Sequence, residues 1–322
     1  MLFYIFKRIL LIILIVLVVV LLLFLLLYIV PASDIRRMPI YGDGDFLDSI
    51  YTFLNVGNNI ITKYIRYCYN VFIRFDLGGI GRYRFAMARE FRIRIPNTLV
   101  LLGCGLGVTL LVGIPLGVHT AVHKDTKSDR IINAITLFFS AVPIYSIALA
   151  IALFFAVYLQ LIPVISSYNQ PVAYFMPTLT IVLGGVALVA RTTRTSMLET
   201  LEQPYITALR SKGLKETKVI YVHAFKNAMV PLVSILSGVI AQMFCGTFVV
   251  EHFFNVPGLG TYMLRAVTGR DHTELLGCAV VVTLLLATTN VVVDIIFAFI
   301  NPQIKLLYTK GKDRRVRKGA AA

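Results

Sequence analysis

Apolar residues in this chain come in long runs separated by polar segments, a pattern typical of helices that cross a lipid bilayer. The clearest run is Ile9 to Val30, which carries no charge and whose one polar group is the hydroxyl of Tyr28. A helix of that length is roughly 33 Å long, enough to cross a hydrocarbon core of about 30 Å. A cleaved signal peptide has a shorter apolar stretch, about 7–15 residues, that ends in small residues. The run therefore favours an uncleaved anchor.

The whole pattern predicts an all-α integral membrane protein with six transmembrane helices. Gly113, Pro115 and Pro143 lie inside the second and third runs, and membrane helices tolerate such residues where neighbours satisfy the backbone. The third run is long enough to tilt or to project beyond the bilayer. Small residues at 103–107 suit close packing of the second helix against another. The six predicted spans are 9–30, about 97–118, about 133–159, about 174–190, about 229–250 and about 276–300.

Basic residues next to the spans indicate how the chain is oriented. Six spans place both termini on one side, and Lys7, Arg8 and the basic tail after Pro302 favour the cytoplasm for that side. An arginine-rich stretch at 82–94 falls on the outer side and argues against this orientation. We expect it to be a solvated or headgroup-contacting surface. The predicted organisation is an anchor helix with a long extracytoplasmic loop (1–95), a five-helix transmembrane domain (96–302) and a basic cytoplasmic tail (303–322).

Composition excludes several other classes of protein. The chain is 58% hydrophobic and 15% charged, whereas soluble domains are about 45–50% apolar and about 25% charged. The net charge of +15 lies beside the spans rather than in a separate basic domain, so nucleic-acid binding is not predicted. The four cysteines have no metal-ligand or disulfide spacing. His119 and His123, four residues apart, are too few for a metal-site prediction, and no catalytic constellation is present.

The longest inner loop, residues 191–228, predicts a short capped helix. Pro204 suits the first turn, where its missing N–H needs no partner, and the helix then runs from Tyr205 to Lys212. Gly213 ends it, because glycine accepts the left-handed conformation that follows a helix, and Leu214 is placed to contact Leu209. A second helix is predicted from 215 to about 229, before span five. Periodicity alone leaves open that this segment is only a capped connector.

These residues resemble the "EAA" loop of binding-protein-dependent ABC importer permeases. The similarity is greatest to the dipeptide/oligopeptide/nickel branch, of the DppB/OppB-like type, and extends over roughly residues 71–308. Further segments similar to that family are 76–78, 95–99, 191–199, 251–260, 270–271 and 301–305. The loop itself reads Tyr205-Ile206-Thr207-Ala208-Leu209-Arg210-Ser211-Lys212-Gly213-Leu214, then His223-Ala224-Phe225-Lys226-Asn227-Ala228 and Pro231.

The resemblance implies a type I ABC importer transmembrane domain that couples to separate ATPase subunits. Residues 204–213 would be the coupling helix, with Arg210, Lys212 and Lys215 reaching the rim of a groove on the ATPase. Glu251, Pro257, Gly258 and Gly260 would belong to an outer turn or re-entrant segment that helps to seal the pathway. Asp294, a carboxylate inside a span, would have a structural role. The residues implied in coupling are Tyr205, Ala208, Leu209, Arg210, Lys212, Gly213 and Leu214.

The implied assembly contains this chain, a second homologous permease (DppC/OppC-like), two cytoplasmic ATPases and an extracytoplasmic solute-binding protein, in a bacterial or archaeal plasma membrane. No cofactor is expected in this chain, since it lacks a phosphate-binding G-x-x-x-x-G-K-[ST] loop and ATP with Mg²⁺ would bind the partners. Peptides are the expected solute, with nickel chelates as a related possibility. The alternatives are a secondary transporter or channel driven by an ion gradient, and a membrane-embedded enzyme.

Overall fold

The described part of the chain is helical, with no strand in it. A computed structural model describes residues 2–29, 60–74, 77, 82–163, 171–269 and 272–300. The helices are α1 (Leu2–Ile29), α2 (Ile60–Ile73), α3 (Arg82–Val122), α4 (Lys127–Ala141), α5 (Ile144–Ala152), α6 (Phe175–Leu201), α7 (Pro204–Ser211), α8 (Glu216–Lys218), α9 (Phe225–Phe253), α10 (Leu259–Thr268) and α11 (His272–Ile300). The all-α prediction is confirmed.

The chain forms two compact units. The first contains residues 1–98 and 257–288, and the second contains 99–256 and 289–322. The core of the first unit joins apolar side chains of α1, α2 and α11, and the Tyr64 hydroxyl donates to the backbone carbonyl of Leu17 at 3.0 Å. The buried members of this core are Val16, Val20, Tyr67, Val71, Leu276 and Val280.

In the second unit, α6 lies at the centre and packs against α4, α5 and α9. Helix α3 approaches α6 closely at Gly117. A β-carbon added at Gly117 would lie 2.5 Å from the carbonyl oxygen of Ala190 and 2.5 Å from Cβ of Thr193, so only glycine fits there. In the predicted small-residue stretch, Gly105 contacts Ile181. Gly103 has no described atom within 4 Å of the position its β-carbon would take, so the closest packing lies further along α3 than expected.

Three helical segments are long and apolar enough to cross a membrane: 87–122, 171–201 and 274–293. A fourth span is possible if the helix pair 127–141 and 144–158 is counted as one. Two shorter apolar segments, Leu10–Leu23 and Gly238–Phe253, lie where the first and fifth spans are predicted. Within the described residues, six full spans are therefore not all established, although a helix occupies each predicted position. Helix α3 also begins at Arg82, so part of the predicted outer loop is helical.

The third predicted span is not one continuous helix, and that prediction is wrong. Helix α4 ends at Ala141, Val142 is extended (φ −79°, ψ 129°), and α5 begins after Pro143 with a bend of 103°. Proline has no N–H and disfavours helical backbone in the residue before it. Val142 therefore leaves the helical conformation, and the chain turns instead of tilting as a straight rod.

Candidate functional site

The loop between α6 and α9 contains a short helix at the predicted place. Helix α7 runs from Pro204 to Ser211, and Gln203 before it is extended (φ −70°, ψ 142°). Pro204 is the first helical residue, where its fixed φ and missing N–H cost nothing. The predicted beginning of the helix is confirmed.

Gly213 ends α7 in the left-handed conformation, with φ +73°. Its N–H donates to the carbonyl oxygen of Arg210 at 2.9 Å, and the Leu214 N–H donates to that of Leu209 at 3.5 Å. These two bonds define a Schellman cap. Leu209 and Leu214 pack against the same apolar cluster. The predicted glycine stop is confirmed, and both leucines face the same cluster.

Ile206 anchors α7 to the rest of the second unit. Its side chain is fully buried (0% exposed) in a cluster with Met197, Val219 and Ala224. Ile206 was not predicted as a site residue, although Ile206 and Leu209 stand three apart and so form one apolar face. Because α7 has only two turns, Ile206 and the partly buried Leu209 are enough to hold it against this cluster.

The opposite face of α7 is exposed. Ala208 and Lys212 lie on it, and Tyr205 is 38% exposed while its hydroxyl accepts a 2.8 Å hydrogen bond from Nδ2 of Asn227. This bond ties the first turn of α7 to the first turn of α9. A small side chain at Ala208 leaves the exposed backbone accessible, so the face can be approached closely by another surface.

Arg210 does not extend freely from the loop as expected, because Glu216 holds it. Its Nη2 lies 2.6 Å from Oε1 of Glu216, and its Nε lies 3.1 Å from Oε2. Hydrogen bonds from Arg210 lower the pKa of Glu216, and the same pair raises the pKa of Arg210. The pair closes the turn after α7. Lys212 and Lys215 remain exposed, as expected of basic residues at the rim.

The segment after the cap is not a separate helix that ends near Met229, and that prediction is wrong. Helix α8 continues through a π-helical turn, Val219–Ala224, directly into α9. The π turn places Val219, Ile220 and Ala224 in the cluster that buries Ile206. Because the helical backbone is continuous from Glu216 to Phe253, a displacement at the end of α7 can be transmitted to α9.

A buried ion pair in the same unit was not predicted. Asp129, 4% exposed in its side chain, accepts bonds from Nε and Nη2 of Arg194 at 3.0 and 2.9 Å. It also accepts the backbone N–H of Asp125 and an amide hydrogen of Asn133. The pair joins α4 to the part of α6 that precedes α7. Residues 65 apart give no local signal for such a contact.

Helix α9 ends at the start of the predicted outer segment. Glu251 is fully buried, and its backbone carbonyl accepts the Val256 N–H at 2.8 Å. Asn255 takes the left-handed conformation (φ +55°) that closes this cap, a position where asparagine substitutes for glycine. The chain turns here, and Asn255 is the residue that makes the turn. Gly260, which was predicted to belong to the turn, lies in α10 instead.

Pro257, Gly258 and Gly260 lie in the first unit. The carbonyl oxygen of Pro257 accepts an amide hydrogen of Asn97 at 2.9 Å, and the Leu259 N–H donates to Oγ1 of Thr98 at 2.9 Å. Gly258 and Gly260 are buried at the beginning of α10. Two segments that resemble the family separately, 95–99 and 251–260, therefore meet.

Tyr262 lies between two guanidinium groups in the first unit. The ring is fully buried, and Arg94 and Arg265 lie 4.8 and 4.9 Å from its centroid. Burial, and then the charge of Glu274, raise the pKa of Tyr262. Arg94 also donates to Glu90 at 2.6 Å, so this member of the arginine-rich stretch is structural rather than solvated. Arg89 and Arg92 are exposed, as expected.

Other predicted sites lie partly outside the described residues. Asp294 is on α11, but its side chain is outside them, as are residues 270, 271 and 301–322. The rings of His119 and His123 are 4.3 Å apart. Among the described side chains, no three of His, Cys, Asp or Glu gather where they could hold a metal ion.

Known proteins resemble this chain in sequence and in fold. The dipeptide transport system permease protein DppB of Bacillus subtilis is 28% identical over 259 residues, 80% of this chain and 83% of the relative. DppB of Escherichia coli is 30% identical over 273 residues, covering 76% and 80%. The inward-facing MetNI methionine ABC transporter superposes with a TM-score of 0.57 at 17% identity, over 67% of this chain and 97% of that chain.

The family comparison covers most of the site. Residues 113–306 match the model of the binding-protein-dependent transport system inner membrane component. The matched range contains the loop between α6 and α9, residues 251–260 and α11. The expectation of an ABC permease of the DppB/OppB-like type is confirmed. The chain belongs to the family of binding-protein-dependent transport system inner membrane components.

Proposed function

We propose that this chain is the permease subunit of an ATP-driven importer and forms half of the pathway for short peptides. The observation that carries the proposal is the capped, anchored helix α7 with its exposed face, in a chain of this family. The relatives named as dipeptide permeases support peptides as the solute. Nickel chelates, the related solute of the same branch, are tested by labelling the chelate instead of the dipeptide in the uptake assay described below.

Helix α7 is the proposed contact for a cytoplasmic ATPase. Ile206 and the Schellman cap at Gly213 hold it rigidly, so a force applied to its exposed face moves the whole loop. Ala208 permits close approach, while Tyr205 and Lys212 supply polar contacts around it. The π turn and α9 then carry the displacement into the membrane. Docking energy that differs between two states of the ATPases would shift the transporter between inward-open and outward-open forms.

The proposed assembly contains a second permease, two ATPases and an extracytoplasmic binding protein, with both termini of this chain in the cytoplasm. The ATPases supply nucleotide hydrolysis and this chain supplies none. Pro257 and Gly258 are proposed to help close the outer end of the pathway, since their carbonyl oxygens hold α10 against the start of α3.

The test is uptake of a labelled dipeptide by proteoliposomes that contain the purified complex and its binding protein. Uptake should require ATP on the ATPase side and should survive an uncoupler of ion gradients. A complex with a hydrolysis-deficient ATPase is the matched control and should transport nothing. Uptake that ignores ATP and collapses with the uncoupler would show a secondary transporter instead.

A further inference from the structure

A cavity of about 430 Å³ lies in the second unit, where α4 and α5 meet at the break. Helices α6 and α9 form its other walls. Ligand pockets for small molecules commonly measure about 300–1,000 Å³, so the space suits a solute of a few residues or fewer.

The broken span creates this space. Val142 and Ile144, on either side of Pro143, both line the cavity, and the backbone turns there by 103°. Non-helical backbone at membrane depth is tolerated where it is buried in protein or lines a water-filled cavity. The break therefore lies in the wall of this cavity.

The cavity walls are mostly apolar, and their two hydroxyl groups already donate hydrogen bonds within the protein. Oγ of Ser140 and Oγ1 of Thr180 each donate at 2.8 Å to a carbonyl of their own helix. Among the described residues that line the cavity, Arg191 is the one that carries a charge. The cavity therefore combines an apolar body with a single cation.

Arg191 differs from Arg194, which lies one turn further along α6. Arg194 is held by Asp129 through two bonds, whereas Nε of Arg191 is buried and has no hydrogen-bond partner in the described part of the chain. A buried polar atom of this kind calls for an explanation. A guanidinium binds carboxylates through two parallel hydrogen bonds.

We propose that this cavity is a solute subsite in which Arg191 binds the terminal carboxylate of a short peptide. The apolar walls contact its side chains without demanding particular ones. This inference rests on the proposed function, because it assumes that peptides enter the pathway. Beyond that function, it specifies where the solute binds and that Arg191 recognises its carboxylate.

Gly184 allows the cavity to be filled without disturbing the packing. No described atom lies within 4 Å of the position its β-carbon would take, and Gly184 lines the cavity. Gly103 has the same open surroundings but is not a wall residue, so it supplies a matched control. We expect Gly184→Leu to lower dipeptide uptake at least tenfold, with normal assembly, and Gly103→Leu to transport normally. Equal uptake by both variants would overturn the proposal.

Cys245 lines the cavity and is exposed, so its alkylation reports occupancy. Cys104 is also exposed and Cys68 is partly so, and both are replaced by Ala in the test protein, while Cys278 is buried. The purified permease–ATPase complex, without nucleotide or binding protein, is alkylated in the presence of dialanine or dialanine amide. Dialanine should slow the reaction and the amide, which lacks the carboxylate, should not.

Arg191→Gln should raise the dialanine concentration that gives half protection about tenfold or more, and Arg191→Lys should raise it less. Equal protection by dialanine and its amide, unchanged protection in Arg191→Gln, or no protection at all would overturn the subsite. Loss of the partner permease from Arg191→Gln on purification would make Arg191 a subunit contact and would also overturn it. ATP-dependent uptake by the parent complex, measured in parallel, separates these results from failure of the proposed function.

Discussion

Gly213→Val is expected to weaken binding of the ATPase without harming insertion of the chain. Gly213 has φ +73°, where an L-residue costs roughly 1–2 kcal/mol, and a β-branched side chain is especially unfavourable. No described atom lies within 4 Å of the added β-carbon, so the penalty arises from the backbone conformation rather than from a clash at that carbon. The penalty corresponds to a factor of about 5–30 in the population of the capped loop.

If the ATPase binds only the capped loop, its apparent affinity falls by up to the same factor. The assay is binding of purified ATPase to the permease pair in nanodiscs, together with ATP-dependent uptake at matched protein levels. Gly213→Asn is the control, because asparagine tolerates the left-handed conformation and should lose much less affinity. If Val and Asn at this position gave equal affinities, strain in the cap would not be what controls docking.

Three further changes test separate parts of the second unit. Ala208→Asp should leave the melting temperature unchanged, since the site is exposed, yet should weaken ATPase binding more than tenfold; normal binding would remove Ala208 from the interface. Asp129→Asn should destabilise the purified chain by about 1–3 kcal/mol, because it removes the charge that faces the partly buried guanidinium of Arg194, and a thermal melt that does not move would refute this. Glu216→Gln should cost less than about 1 kcal/mol, because the pair with Arg210 is exposed. The pKa of Glu216 is lowered, so the stabilisation by the pair with Arg210 is complete above the ordinary value of 4.5 and is lost only as the pH falls through the lowered pKa. ATPase docking should therefore not change between about pH 6 and 8. A decline within that range would contradict the structural role of this pair.

The loop that contains α7 was predictable because its structure is local. A proline, two turns of helix and a glycine set the boundaries of α7 within a few residues, and Leu209 and Leu214 stand where a cap requires them. The sequence did not single out Ile206, whose burial depends on side chains from α6 and the π turn.

Contacts between residues far apart in the chain could not be predicted from the sequence. Asp129 reads as an ordinary residue in the first turn of a helix, and only the packing of α4 on α6 brings it to Arg194. Pro143 was recognised, but a proline inside an apolar run can either kink a helix or break it. The extended conformation of Val142 shows that the helix breaks here, and Val142 lines the cavity at this break.

The most direct test of the docking role of α7 is photo-crosslinking from position 212, which is exposed at the end of this helix. A benzophenone is attached to Lys212→Cys in a chain whose Cys68, Cys104 and Cys245 are replaced, and Leu111→Cys on the 76% exposed apolar face of α3 serves as the control. In the assembled complex the probe at 212 should crosslink to an ATPase subunit, while the probe at 111 should not. An intact complex in which position 212 yields no ATPase adduct, or in which both positions yield it equally, would contradict the account.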